Sequence, residues 1–238
     1  MRAARMEVGE QPGEGGGVTL PRDEVVAGFT DELARFEALV RSLDAGAWER
    51  PSRCEGWRVA DVAAHVTGQL ADINAGHFEG LGTPEVTGRE VDERRGRSPR
   101  ELADELHEVV ATGQATLAAL DDEAWKSPAP AGILPTLGDG VEALWYDAWL
   151  HADDIRAAAG LPPERTAGLR ASVIHVAALL EATGWGPATL ALDGLEAVPV
   201  GDGSGRRVEG DPHQFVLVAT GRADPATLGL DETANVYR

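Results

Sequence analysis

Cysteine is nearly missing from this 238-residue chain, in which Cys54 stands alone. No intramolecular disulfide can form, and no cysteine-rich zinc framework can be built; the usage fits a reducing cytoplasm. Basic side chains are also scarce, 21 lysines and arginines against 40 aspartates and glutamates, for a formal charge of -19. Such a surface repels phosphate backbones and anionic lipid, which excludes nucleic acid as an expected partner. Beyond that exclusion the acidity reads as a solubilising shell. Nowhere do 18 apolar residues run together, so no membrane span is expected. Residues 1–17 hold arginines, glycines, glutamates and one proline without the apolar run of a signal peptide. What is present in ordinary measure is apolar content, 43%, enough for a real core.

Residues 1–20, centred on Gly13-Glu14-Gly15-Gly16-Gly17, read as a flexible tail. Four amphipathic segments follow. One starts at Pro21-Arg22-Asp23-Glu24 and carries Val26, Phe29, Leu33, Phe36, Leu39 and Val40 to about Leu43. A second runs from Val59 to about His77, and a third opens at Ser98-Pro99-Arg100-Glu101, a capping box, and reaches Leu120. The fourth spans Leu137 to Gly160, stopped by that glycine and Leu161-Pro162-Pro163. Together they predict an antiparallel four-helix bundle over residues 21–165, with connections longer than a minimal bundle needs. The stretch from Gly80 to Arg97 reads as a charged, mobile surface loop. Residues 166–238 change texture: a helix over Ala167–Thr183, short strands at Thr189–Asp193 and Val198–Val200, a hairpin turn at Gly201–Gly205, a short helix capped by Asp211, and a closing strand at Ala234–Arg238. The fold class expected is therefore α+β, a helical bundle followed by a small C-terminal α/β domain.

The most functional-looking stretch is Trp145-Tyr146-Asp147-Ala148-Trp149-Leu150-His151. At roughly 100° per residue, Asp147 and His151 fall within about 80° of the apolar stripe formed by Leu137, Val141, Leu144 and Ile155. Buried carboxylates and imidazoles are costly unless paired or bound to a cation, and this spacing offers two ligands to one ion. A catalytic metal site takes a third protein group and keeps one position open. By periodicity alone His65 lies at the shoulder of its stripe, where a solvent-facing or partly buried structural histidine is the simpler reading.

The string Cys54-Glu55-Gly56-Trp57-Arg58-Val59-Ala60-Asp61-Val62-Ala63-Ala64-His65, followed downstream by Asp147, His151, Asp154 and Gly160, resembles the mycothiol-dependent, maleylpyruvate isomerase-like branch of the DinB-like metalloenzymes. The resemblance implies a DinB-like four-helix bundle in which His65, Asp147 and His151 hold a divalent metal, with zinc suited to two imidazoles and a carboxylate. It implies mycothiol as a thiol cosubstrate, deprotonated at the metal's open position to attack a small-molecule electrophile, in isomerisation or S-transfer. Arg222, in a Gly-Arg pair that looks like the family's, is implied as the anchor of a substrate carboxylate. The chain departs from the isomerase at Asp147, where that enzyme has glutamate, so substrate identity is less secure than metal binding. A thiol-independent metalloenzyme and a non-catalytic binding protein are the competing functions, and a monomer or small homo-oligomer is expected. Asp154 is read either as orienting a ligand imidazole or as a helix-surface carboxylate, Arg156 as an ion-pair partner, and Cys54 as a packed structural cysteine with no histidine beside it. Trp57, Trp145 and Trp149 are expected in the core or a pocket wall.

Overall fold

A computed structural model describes residues 20–132 and 134–238; the glycine-rich stretch expected as a tail lies outside the described residues. The chain divides into two compact units, Arg22–Glu164 and Arg165–Arg238. The first holds helices α1 (Arg22–Ser42), α2 (Ala45–Trp48), α3 (Val59–Ala75), α4 (Pro84–Glu93), α5 (Pro99–Ala119), α6 (Asp122–Lys126) and α7 (Leu137–Ala159). Local chemistry sets the ends of the long ones. Ser98 with Glu101, and Thr136 with Asp139, close capping boxes at the starts of α5 and α7, while Gly76 and Gly160 take left-handed caps at φ 77° and 74°.

The four long helices pack as α1 on α5 and α7, and α3 on α5 and α7. Two of the three consecutive pairs among these four, α1 with α3 and α5 with α7, therefore lie across the bundle's diagonal, while α3 and α5 are neighbours joined through α4. The two diagonal connections are long because they must cross an end of the bundle instead of turning directly to a neighbour. Close approach of α1 and α7 depends on Gly28: a Cβ there would lie 2.1 Å from Trp145 Cζ2, and Trp145 is fully buried.

The Gly80–Arg97 stretch is not a surface loop. It contains α4, begun by Thr83 as N-cap and Pro84 in the first turn, the same grammar that opens α5. Its apolar content is thin because what it contributes inward is largely polar: Glu90 is 1% exposed. With α4 on one side and α5 and α7 on others, every residue of α3 from Asp61 to Thr67 is buried.

Toward the start of α7, burial together with repulsion from Asp139 and Glu24 pushes the Glu142 carboxyl up to about 7. A carboxyl raised above its unfolded value stabilises the fold while protonated, fully below about pH 4.5, and loses that contribution as pH rises through about 7. Glu142→Gln is expected to gain about 1–2 kcal/mol above neutrality, allowing for partial exposure, and nothing near pH 4. Thermal unfolding at the two pH values checks this, and an equal shift at both would remove ionisation as the cause.

The second unit contains α8 (Ala167–Ala182), β1 (Ala188–Leu192), β2 (Val198–Val200), β3 (Arg206–Gly210) and α9 (Pro212–Ala219). The sheet order is β2-β1-β3, with β2 antiparallel and β3 parallel to β1. Gly201–Gly205 is thus not a hairpin turn between neighbours, because it carries the chain from β2 across to the far side of β1. Gly205, at φ 82°, sits where a Cβ would meet the Pro187 carbonyl oxygen at 2.5 Å, so the crossing hugs the sheet end. Residues 234–238 do not form a closing strand. A 3-10 turn at Glu232–Ala234 takes up the first of them, and Val236 N–H donates to the Ala219 carbonyl at the end of α9 at 2.9 Å. No helix among the described residues is long and apolar enough to cross a membrane.

Candidate metal centre

His65 on α3 and Asp147 and His151 on α7 come together inside the first unit, with one donor atom from each lying within 4.8 Å of the others. His151 Nε2 is 3.4 Å from Asp147 Oδ1, and His65 Nε2 is 3.9 Å from Asp147 Oδ2. The shorter carboxylate therefore still reaches both imidazoles. The two rings stand edge to face, 5.4 Å between centroids. Both histidines are buried, 6% and 7% exposed, while the Asp147 side chain keeps 24%, so the cluster is open on that side.

Behind each imidazole stands a buried carboxylate. His65 Nδ1 lies 2.8 Å from Glu90 Oε2, and His151 Nδ1 lies 3.2 Å from Asp154 Oδ2, with Asp154 fully buried. An ionised carboxylate only accepts, so in each pair the ring's Nδ1–H donates and the Nε2 lone pair is left facing the cluster. That is how protein metal sites hold histidine ligands. Glu90 Oε1 is buried with no hydrogen-bond partner among the described residues, an unfavourable position that its grip on His65 explains. The donor chemistry, two oriented imidazole nitrogens and a carboxylate, fits a divalent ion of the zinc class.

Electrostatics agree. Burial opposes a charge on His151, yet the neighbouring Asp147 carboxylate and hydrogen bonds to Asp147, Asp154 and Cys54 raise its pKa well above the ordinary 6.5. The cluster is built to hold positive charge, whether as a proton or as an ion. A proton on His151 is one that the unfolded chain gives up, so it stabilises the metal-free fold fully below about pH 6.5 and less as pH climbs through the raised value. An ion must displace that proton. Zinc affinity is therefore expected to rise with pH until the raised value is passed and to level off beyond it, checked by competition with a chelator at several pH values; a flat profile would remove proton competition at His151 as a factor.

Local backbone explains the motif preceding α3. Ser52 N–H donates to the Trp57 carbonyl and Trp57 N–H to the Cys54 carbonyl, at 2.8 and 3.0 Å, and Gly56 turns the chain at φ 79°. The turn places Trp57 against His65, 5.4 Å between ring centroids, and tucks Cys54 under α7. Cys54 is buried as expected, but a histidine does stand beside it: its Sγ is 3.9 Å from His151 Nδ1 and 3.4 Å from Asp154 Oδ2. Asp154 takes the imidazole-orienting position, not a surface one. Arg156 is an ion-pair partner, to Glu164, and Trp145 and Trp149 are core residues.

Glu90 went unrecognised in the sequence because its helix lacks an apolar stripe; Thr83-Pro84-Glu85 was the available signal. Arg222 belongs to the second unit, just past α9, where its side chain donates to the Thr220 carbonyl at 3.3 Å. A cavity of about 370 Å³ beside it is lined by Gly221, Ala223, Asp224, Asp231 and Glu232 among others; three carboxylates there suit an anion poorly.

Residues 29–156 match the family model of the mycothiol maleylpyruvate isomerase N-terminal domain. Two solved structures share the fold: a mutant of the mycothiol-dependent maleylpyruvate isomerase with one histidine changed to alanine, at TM-score 0.61 and 20% identity over 90% of this chain and 96% of that one, and the same named isomerase, at 0.59 and 20% over 86% and 90%. No curated protein matches. With the family model spanning more than half of the chain and the bundle present in full, the chain belongs to the family of the mycothiol maleylpyruvate isomerase N-terminal domain.

Proposed function

We propose that this protein is a divalent-metal-dependent enzyme that activates mycothiol for attack on an electrophilic small molecule, in isomerisation or S-transfer. The observation that carries the reading is the convergence of His65, Asp147 and His151 with a buried carboxylate behind each imidazole. A divalent ion held there would lower the pKa of an incoming thiol so that it reacts as the thiolate. The residues do the rest. His65 and His151 present neutral nitrogens, and Asp147 offsets one unit of the ion's charge from the side that stays open. Glu90 and Asp154 keep both rings in the ligating tautomer. Trp57, half-buried next to His65, supplies an aromatic face suited to a sugar-bearing thiol. By the family resemblance alone, Arg222 is assigned the substrate's anionic group through a forked contact that lysine cannot reproduce, although the carboxylates of Asp224, Asp231 and Glu232 line the cavity beside it.

Titrating zinc-loaded protein with mycothiol tests the proposal. Saturable binding that disappears after chelation is the expected result. No binding at millimolar thiol, with zinc still in place, would leave a thiol-independent metalloenzyme as the better reading.

A further inference from the structure

His151 has donors on both sides. Its Nε2 faces Asp147, while its Nδ1 faces Asp154 Oδ2 at 3.2 Å and Cys54 Sγ at 3.9 Å, with Sγ and Oδ2 separated by 3.4 Å. We propose that Cys54, His151 and Asp154 form a second cation site, selective for a thiophilic divalent ion and distinct from the His65–Asp147–His151 site in front of the ring.

Geometry supports it. A tetrahedral ion with bonds of the usual length to sulfur, nitrogen and oxygen sets its ligand atoms roughly 3.3–3.6 Å apart. The three edges here are 3.2, 3.4 and 3.9 Å, so the donors need to move by a few tenths of an ångström. All three residues are more than nine-tenths buried, at 5%, 7% and 0% exposure. Cys54 is held in place by the turn before α3, its N–H donating to Ser52 Oγ at 3.1 Å.

Charge supports it as well. Arg53 lies 3.7 Å from the other oxygen of Asp154, Oδ1, and is engaged with Asp153 at 2.6 Å. Oδ2 is the oxygen that meets both Cys54 Sγ and His151 Nδ1. Loading would release two protons, one from Sγ and one from Nδ1, and the 2+ ion would be balanced by the thiolate and the Asp154 carboxylate. The soft sulfur favours zinc or cadmium over magnesium or calcium. Because the sites share one imidazole, an ion at Nδ1 takes away the Nδ1–H that Asp154 holds, and with it the arrangement that presents Nε2 to the front site.

The test uses cadmium alone on the metal-free full chain. Cys54 is the chain's sole cysteine, so any thiolate-to-cadmium charge-transfer absorption reports this one sulfur. The expected result is a saturable band in the wild type and in Asp147→Ala, with its midpoint weakened about tenfold or more in Asp154→Asn, all with circular dichroism confirming a folded chain. Should Asp154→Asn not fold, cadmium NMR of the wild type decides, with a resonance in the range of one sulfur plus nitrogen and oxygen ligands expected. Absence of the band in folded wild type, an unchanged midpoint in Asp154→Asn, or a resonance in the nitrogen–oxygen range overturns the proposal. Loss of the band in Asp147→Ala would do the same, by moving the ion to the front site. None of these outcomes bears on mycothiol binding, which is read on zinc-loaded protein.

Discussion

Replacing His151 by alanine is expected to strip the protein of its divalent ion, with Kd weakened at least about a hundredfold. Structural zinc is worth roughly 10–16 kcal/mol spread over four ligands, or about 3 kcal/mol for one. The same loss is expected from Asp147→Ala, because that carboxylate lies 3.4 and 3.9 Å from the two ligating nitrogens. Metal content after dialysis against a zinc buffer is the measurement, with thermal unfolding alongside to separate lost ligation from lost structure. Unchanged occupancy in both folded variants would sink the site.

The second large effect is expected at a residue that touches no ion. Gly68 lies one turn beyond His65 on α3, and a Cβ there would stand 2.6 Å from Glu90 Cβ and 2.9 Å from an Arg94 guanidinium nitrogen. Gly68→Ala therefore pushes α4 outward, at a cost of about 1–3 kcal/mol for overpacking. It should also cost about 10- to 100-fold in zinc affinity, because Glu90 is drawn off His65 Nδ1. Arg94, bound to Glu105 of α5 at 2.9 Å, resists the shift and adds to the strain. Glu90→Gln keeps an acceptor for Nδ1–H but loses the charge, and should weaken zinc less than Gly68→Ala does. Calorimetric zinc titration with thermal unfolding checks both. A Gly68→Ala protein that is destabilised yet binds zinc normally would show that His65 does not need α4.

Much of the helical unit was legible in the chain itself. Ser98-Pro99-Arg100-Glu101 and the Gly160 stop place α5 and α7 within a residue or two, since capping chemistry is local and needs no partner to be read. Asp147 and His151 were legible for the same reason: a helix brings residues four apart onto one face. His65 was not legible from periodicity. Its position at the shoulder of a stripe suggests solvent, yet α4 covers that shoulder and α3 is buried nearly all round. Only the longer motif string pointed to it.

The C-terminal unit shows the opposite balance. Strand-forming residues and turns were visible in the sequence, but the pairing of β3 with β1, parallel and beyond β2's partner edge, is a non-local choice that the glycines of Gly201–Gly205 permit without specifying.

By itself, then, the sequence determined where the bundle helices start and stop, that one of them presents a carboxylate and an imidazole together, and that a lone cysteine rules out disulfides. Tertiary structure alone decided that Glu90 and Asp154 stand behind the two imidazoles, that Gly68 lets α4 come close enough to do so, and that Cys54 meets His151 across 97 residues of chain. The physical reason is range. Capping and helical periodicity act over a turn or two, whereas the orientation of a buried imidazole is set by whichever side chain the packing of another helix brings to its second nitrogen.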